Sequence, residues 1–264
     1  TMKTLLTIAL LTVGLTGAAF AQSTAEVQVI HNSPDPLATN VDVYIDSALA
    51  IDDFGYLTAT PVLDLPAEVE IEIGIAPGSS SGPGDIIATF PVTLMANEGY
   101  VVMATGVLDG SLPGNPDGED TGFTLNVFTP LTTSAMGGET ELLVYHGSPS
   151  APTVDVQVDG VGILVDDLTF GEFDGYLTAP ATDLVLQLTP GNDNSTVVAA
   201  YDAPLSLLDG VGAVVFAGGF FGDYPNLPGF GLYVALPDGT VIELHPTSVA
   251  TEAVNWTGVK ALFE

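Results

Sequence analysis

"NVDVYIDSALAIDD", residues 40–53, sets Val41, Val43 and Ile45 on one side of a two-residue period and Asp42, Tyr44 and Asp46 on the other. Side chains alternate across an extended backbone, whereas a helix brings them round every 3.6 residues, so this stretch reads as a strand with one buried and one wet face. A near copy, "TVDVQVDGVGILVDD" (153–167), alternates Val154, Val156 and Val158 with Asp155, Gln157 and Asp159. Outward from these strands the likeness continues. "VQVIHNSPDP" (27–36) precedes the first and "LLVYHGSPSAP" (142–152) the second. "FGYLTAT" (54–60) answers "FDGYLTAP" (173–180), "IAPG" (75–78) answers "LTPG" (188–191), and "GFTLNVFTP" (122–130) answers "GFGLYVALP" (229–237). Correspondences kept in one order are the signature of a tandem duplication.

Further strands follow from the same period: Val69, Ile71, Ile73 and Ile75 oppose Glu68, Glu70 and Glu72, and Leu184, Leu186 and Leu188 repeat the device. "YVVMATGV" (100–107) and "AVVFAGGF" (213–220) are almost unbroken apolar runs, as in central strands covered on both faces. Thirty Gly and 19 Pro punctuate the intervals, and no long segment has a helical period. About seven short strands in roughly 100 residues per copy predict an all-β chain of two tandem antiparallel immunoglobulin-like β-sandwich domains. A closed barrel is the alternative. The expected boundaries are 22–128 for the first repeat, 129–140 for a linker rich in Thr, Ser and Gly, 141–246 for the second repeat and 247–264 for a tail.

His31-x-Ser33-Pro34-Asp35, then "VDVYID", then "FG" and "GYL", and a Pro-Gly turn resemble the bacterial domain-of-unknown-function 4397 family over about residues 26–129 and 141–237. The resemblance implies exported β-sandwich modules, often in tandem, without an established activity. Two positions depart from the pattern: Ser47 stands where Gly is usual, and Ser150 stands where the first copy has Asp35.

Residues 1–21 read as a secretory leader, with Lys3, an apolar core from Leu5 to Leu15 and an Ala19-Phe20-Ala21 cleavage site that leaves Gln22 first. That core is shorter than the roughly 20 residues a membrane span needs, so no membrane insertion is expected after cleavage. The expected location is extracellular or on the surface of a bacterium. There is no Cys, which excludes disulfides and thiolate chemistry. Thirty-three Asp and Glu face two Lys and no Arg, for a formal net charge of −31. Such a surface repels nucleic acid and anionic lipid and suits divalent cations or a saline medium.

His31 with Ser33, and His146 with Ser148, invite a nucleophile reading, but no orienting acid or nucleophile elbow accompanies them. The motif is expected to be structural and the protein not an enzyme, with no cofactor unless calcium. The best calcium candidate is "GNPDGEDTG", where Asn115, Asp117, Glu119 and Asp120 crowd a Gly-rich turn without EF-hand spacing. Phe220, Phe221, Tyr224 and Phe230, on the loop "GGFFGDYPNLPGF", are expected to contact a partner or carbohydrate, or else to plug the sandwich end. Val254, Trp256, Val259, Leu262 and Phe263 make the tail too apolar for free solution, so it is expected to pack on its own domain, on the neighbouring one or on another copy, the last making it an assembly segment. The function expected is a noncatalytic secreted or cell-surface structural protein that self-assembles into a filament or layer. The alternative is an extracellular adhesion module binding carbohydrate or calcium.

Overall fold

The computed structural model describes residues 23–158 and 160–247; the leader and the tail residues Val254, Trp256, Val259, Leu262 and Phe263 lie outside the described residues. The first repeat holds β1 (Thr24–His31), β2 (Asn40–Ile45), β3 (Ala48–Gly55), β4 (Thr58–Ala59), β5 (Leu63–Pro66), β6 (Glu70–Pro77), β7 (Ala88–Thr93), β8 (Gly99–Thr105) and β9 (Thr124–Phe128). The second holds β10 (Glu139–His146), β11 (Val154–Val158), β12 (Gly162–Leu168), β13 (Phe173–Pro180), β14 (Leu184–Pro190), β15 (Ala199–Ala203), β16 (Gly212–Gly218), β17 (Gly231–Ala235), β18 (Val241–Glu243) and β19 (His245–Pro246). Helix among the described residues is confined to three short 3-10 turns, and none is long and apolar enough to cross a membrane.

Each repeat is a β-sandwich of two open sheets. In the first, an inner sheet runs β4-β1-β8-β9, with β5 also on β1, and an outer sheet runs β3-β2-β6-β7. In the second, the inner sheet runs β13-β10-β16-β17-β18 and the outer β12-β11-β14-β15-β19. The all-β sandwich reading holds, but the expectation of purely antiparallel sheets does not. β1 runs parallel to β8, and β10 parallel to β16, in matching registers (Glu26 on Gly99, Glu141 on Gly212). Alternation and turn residues report where strands lie and not which way they run. Between each parallel pair the chain crosses to the outer sheet and back, the long connection that parallel pairing requires.

The periodicity explains the packing. Val27 and Ala25 of β1 and Tyr100 and Val102 of β8 face the outer sheet, where Ile71 meets them. Ile30, Val101 and Met103, on the other side of the same strands, pack against Leu143, Tyr145, Val214, Phe216, Tyr233 and Ala235 of the second repeat. The odd-even partner set of β10, β16 and β17 (Leu142, Val215, Val234) fills the second sandwich. The unbroken apolar runs are therefore covered on both faces, and the second cover is the neighbouring repeat. The molecule is a four-layer stack, outer-inner-inner-outer, with one dry seam between repeats. Ile30, Met103, Leu143 and Phe216 in that seam are fully buried.

Polar ties border the seam. Gln28 Nε2 donates to the Leu236 carbonyl at 2.6 Å, Asn32 Nδ2 to Ala217 at 2.9 Å, and Asn126 Nδ2 to the Tyr145 hydroxyl at 3.0 Å and Gly171 at 2.8 Å. The 129–140 segment is strapped to both repeats. The Leu131 N–H donates to Gly99 and its side chain enters the seam, while the Thr132 and Ala135 N–H groups donate to the Tyr176 hydroxyl and to Gly210.

Candidate functional site

The repeated His-x-Ser-Pro motif leaves the end of β1 and of β10 and turns inward at once, so all its polar groups are sealed. His31, Asn32 and Ser33 are fully buried and Asp35 is nearly so. His31 Nε2 lies 2.7 Å from the Ala38 carbonyl, and the Ser33 N–H reaches His31 Nδ1 at 3.4 Å. A carbonyl only accepts and a backbone N–H only donates, so the ring is neutral with its proton on Nε2. Burial, outweighing the backbone hydrogen bonds, brings the His31 pKa down to about 4. The Ser33 hydroxyl donates to the Gly106 carbonyl at 2.6 Å, which directs its proton away from the imidazole. Asp35 Oδ2 accepts from the Leu108 and Asp109 N–H groups at 2.7 and 2.8 Å, and Oδ1 from Leu37 at 2.7 Å. Gly106 takes φ +81, and a Cβ there would sit 2.4 Å from the Gly122 carbonyl oxygen. The motif thus clamps the end of β1 to the loop leaving β8.

The second repeat rebuilds the clamp. His146 Nε2 lies 3.1 Å from the Pro152 carbonyl, Ser148 donates to Gly219 at 2.7 Å, and burial lowers the His146 pKa. Ser150, in the place of Asp35, accepts the Phe221 N–H at 2.8 Å. The same hydroxyl donates to the Phe221 carbonyl at 3.2 Å, so it ties to the corresponding loop through one residue where the Asp35 carboxylate uses the N–H groups of two.

A second repeated device lies on the outer sheets. Asp42 is buried and accepts the Asp53 N–H and the Ser80 hydroxyl, and those bonds hold its carboxyl below the usual range. Asp155 accepts the Asp167 N–H at 2.6 Å, but Asp193 occupies the Ser80 position and turns to Ser195 and Thr196 instead. Asp155 Oδ2 is left without a hydrogen-bond partner, as is the hydroxyl of Thr189 directly across the ladder. Burial, with the charges of Asp166 and Asp167 beside it, pushes the Asp155 carboxyl up.

The acidic loop serves the joint between repeats. Asn115 Nδ2 donates to the Ala151 carbonyl at 2.9 Å, and Asp117 Oδ2 accepts the N–H and hydroxyl of Thr153 at 2.7 and 2.9 Å. Asp120 caps the Gly122 N–H, and Glu119 is exposed. The four residues are not gathered round a centre, and among the described residues no three His, Cys, Asp or Glu form a metal-holding group. Of the aromatic loop, Phe220 and Phe221 are buried, Phe220 against Tyr224 at 6.2 Å and Phe221 edge-on to Phe230 at 5.7 Å. Phe221 and Ala151 form a small core with the partly buried Phe230 and Val198, so Phe220 and Phe221 plug the sandwich end, while Tyr224 and Phe230 stay partly exposed. Sequence reasoning missed the seam between repeats. Its signal was present in the two apolar runs, whose second face had no assigned cover.

A family model described as Domain of unknown function (DUF4397) matches residues 25–116 and 140–226. The chain belongs to the DUF4397 family. Both DUF4397 matches begin inside the first strand of a repeat and contain the whole His-Ser clamp, so the family's domain occurs twice in tandem, with β9 and β17 to β19 lying beyond the matched residues. No curated protein matches the chain.

Proposed function

We propose that the chain is a noncatalytic structural protein of the bacterial cell exterior that associates with copies of itself. The observation that carries the reading is the commitment of both Ser hydroxyls: Ser33 and Ser148 donate to carbonyls of Gly106 and Gly219, in sites closed to solvent. A nucleophile needs its proton aimed at a base and its oxygen open to substrate. The fused four-layer body supports a mechanical role, and four open sheets leave strand edges for pairing between copies. An acidic surface without Arg keeps such a protein soluble in a saline exterior.

A fluorophosphonate probe should leave Ser33 and Ser148 of the folded protein unlabelled, and concentrated protein should form ordered polymers by electron microscopy. Labelling at either serine, or a monomer at every concentration, overturns the reading.

A further inference from the structure

The second sandwich carries a cavity of about 440 Å3 between its sheets, at the end where β10 begins and β13 finishes. Leu142, Val215 and Val234 of the inner sheet form one wall, and Leu184 and Leu186 of the outer sheet the other. Among the described residues no charged side chain lines it, and the only polar ones are Thr178 and Thr182. Close-packed interiors rarely keep voids larger than a water molecule, and water needs two to four polar partners to occupy one. An empty apolar space of this size forfeits dispersion contacts along its whole wall. It is roughly three times the apolar cavity of about 150 Å3 that stays dry and admits benzene, and it falls in the range of small-molecule sites.

The two repeats differ at this place. Tyr100 of β8, paired with Val27, is buried in the first core, and the matching residue of β16, paired with Leu142, is Ala213. Val92 opposite Ile71 becomes Ala203 opposite Leu184. At the cavity wall the second copy thus loses two methyl groups at Ala203 and gains one methylene at Leu142, while the phenol ring is lost at Ala213, in the same core but not among the lining residues. Val161 lines the cavity yet is 73% exposed, and Leu207, which does not line it, is 71% exposed between the lining residues Leu205 and Leu208. Exposed apolar groups framing an apolar cavity extend it to solvent.

We propose that this cavity is a binding site for an uncharged, hydrocarbon-rich small molecule. Charge decides the class. The chain has two Lys, no Arg and a net charge of −31, and no described residue lining the cavity is cationic, so a fatty carboxylate or other anionic amphiphile would meet repulsion there. The described chain ends on β19, where Thr247 donates to Ala200, running from the cavity-side end of β15 toward its far end. Over its described residues that strand leads away from the cavity. The site goes beyond the structural role proposed above, and its occupancy is read on monomer and polymer alike.

Fluorescence titration of the full chain with uncharged N-phenyl-1-naphthylamine should saturate at one probe per chain, and the anionic analogue 8-anilinonaphthalene-1-sulfonate should bind at least tenfold more weakly. Ala203→Phe, which refills the cavity, should weaken the uncharged probe at least tenfold without lowering the thermal midpoint. Val161→Asp, at an exposed position that cannot unfold the core, should also weaken it. The proposal fails if the wild-type chain shows no saturable binding, or if both variants bind as well as wild type. It also fails if the probe enters only after residues 248–264 are deleted, since the tail would then be the occupant.

Discussion

At the scale of single residues the molecule uses its rare polar groups inside and its many acids outside. His31 illustrates the consequence. Unfolded, it titrates near the ordinary value of 6.5; folded, burial holds it near 4. As pH falls below the first value the unfolded chain takes up the proton and the native one does not. The contribution of the neutral ring is therefore whole above that pH and is lost as pH falls toward the folded value, in total roughly 3 kcal/mol. Carboxylates also titrate there, so the test is a difference. The stability of wild type minus that of His31→Gln, from urea unfolding, should fall by that amount between pH 7 and pH 4, and a flat difference would refute the assignment. The sequence made the structural role of the histidine legible, because a motif followed by Pro and lacking an acid partner reads as a turn. It could not show that Asp35 would take three backbone N–H groups, because two of those donors, Leu108 and Asp109, lie some seventy residues away in the loop after β8. Nor could it separate Asp42 from Asp155, whose opposite shifts depend on whether residue 80 or 193 turns toward them.

At the scale of elements, the hairpins keep their geometry even where the residue is unsuited to it. Between β2 and β3, Ile45 pairs with Ala48 and the two turn residues, Asp46 and Ser47, take φ of 48 and 68. A primed two-residue turn demands such angles and favours Gly, and the second repeat has Gly160, at φ 74, in the place of Ser47. Ser47 is exposed, so replacing it removes backbone strain and little else. Ser47→Gly should raise the unfolding free energy by about 0.5–1 kcal/mol in denaturant titration; a loss would mean that the hydroxyl matters more than the angle. Strand positions were readable from Val41, Val43 and Ile45 because a two-residue period fixes which side chains face inward. Strand direction was not, since β1 and β8 would show the same alternation in either sense. The 129–140 segment looked like a linker by composition, yet Leu131 and Thr132 tie it to β8 and β13, and no local rule reports contacts that only the docked repeats create.

At the scale of the whole molecule, the seam joins two copies of one fold into a single folding unit. Phe216 contacts Tyr233 across a stacked ring pair at 5.5 Å and is completely buried between the inner sheets. Calorimetry of the full chain should give one transition whose calorimetric and van 't Hoff enthalpies agree. Phe216→Ala should cost about 3–5 kcal/mol and, by loosening the joint, broaden or split that transition. Two resolved transitions in the wild type would mean that the repeats fold independently. The arrangement also makes the two ends of the described chain unequal under tension. Among the described residues, a pull on the C-terminal side meets β19 and Thr247, paired with Ala200, Tyr201 and Asp202 of β15 at the margin of a sheet, and those pairings would unzip one after another. A pull on the N-terminal side meets β1, gripped by β8 on one flank and by β4 and β5 on the other, and every rung must slip together. A fibre of such units, tethered by its leading strand, would yield first at the trailing edge.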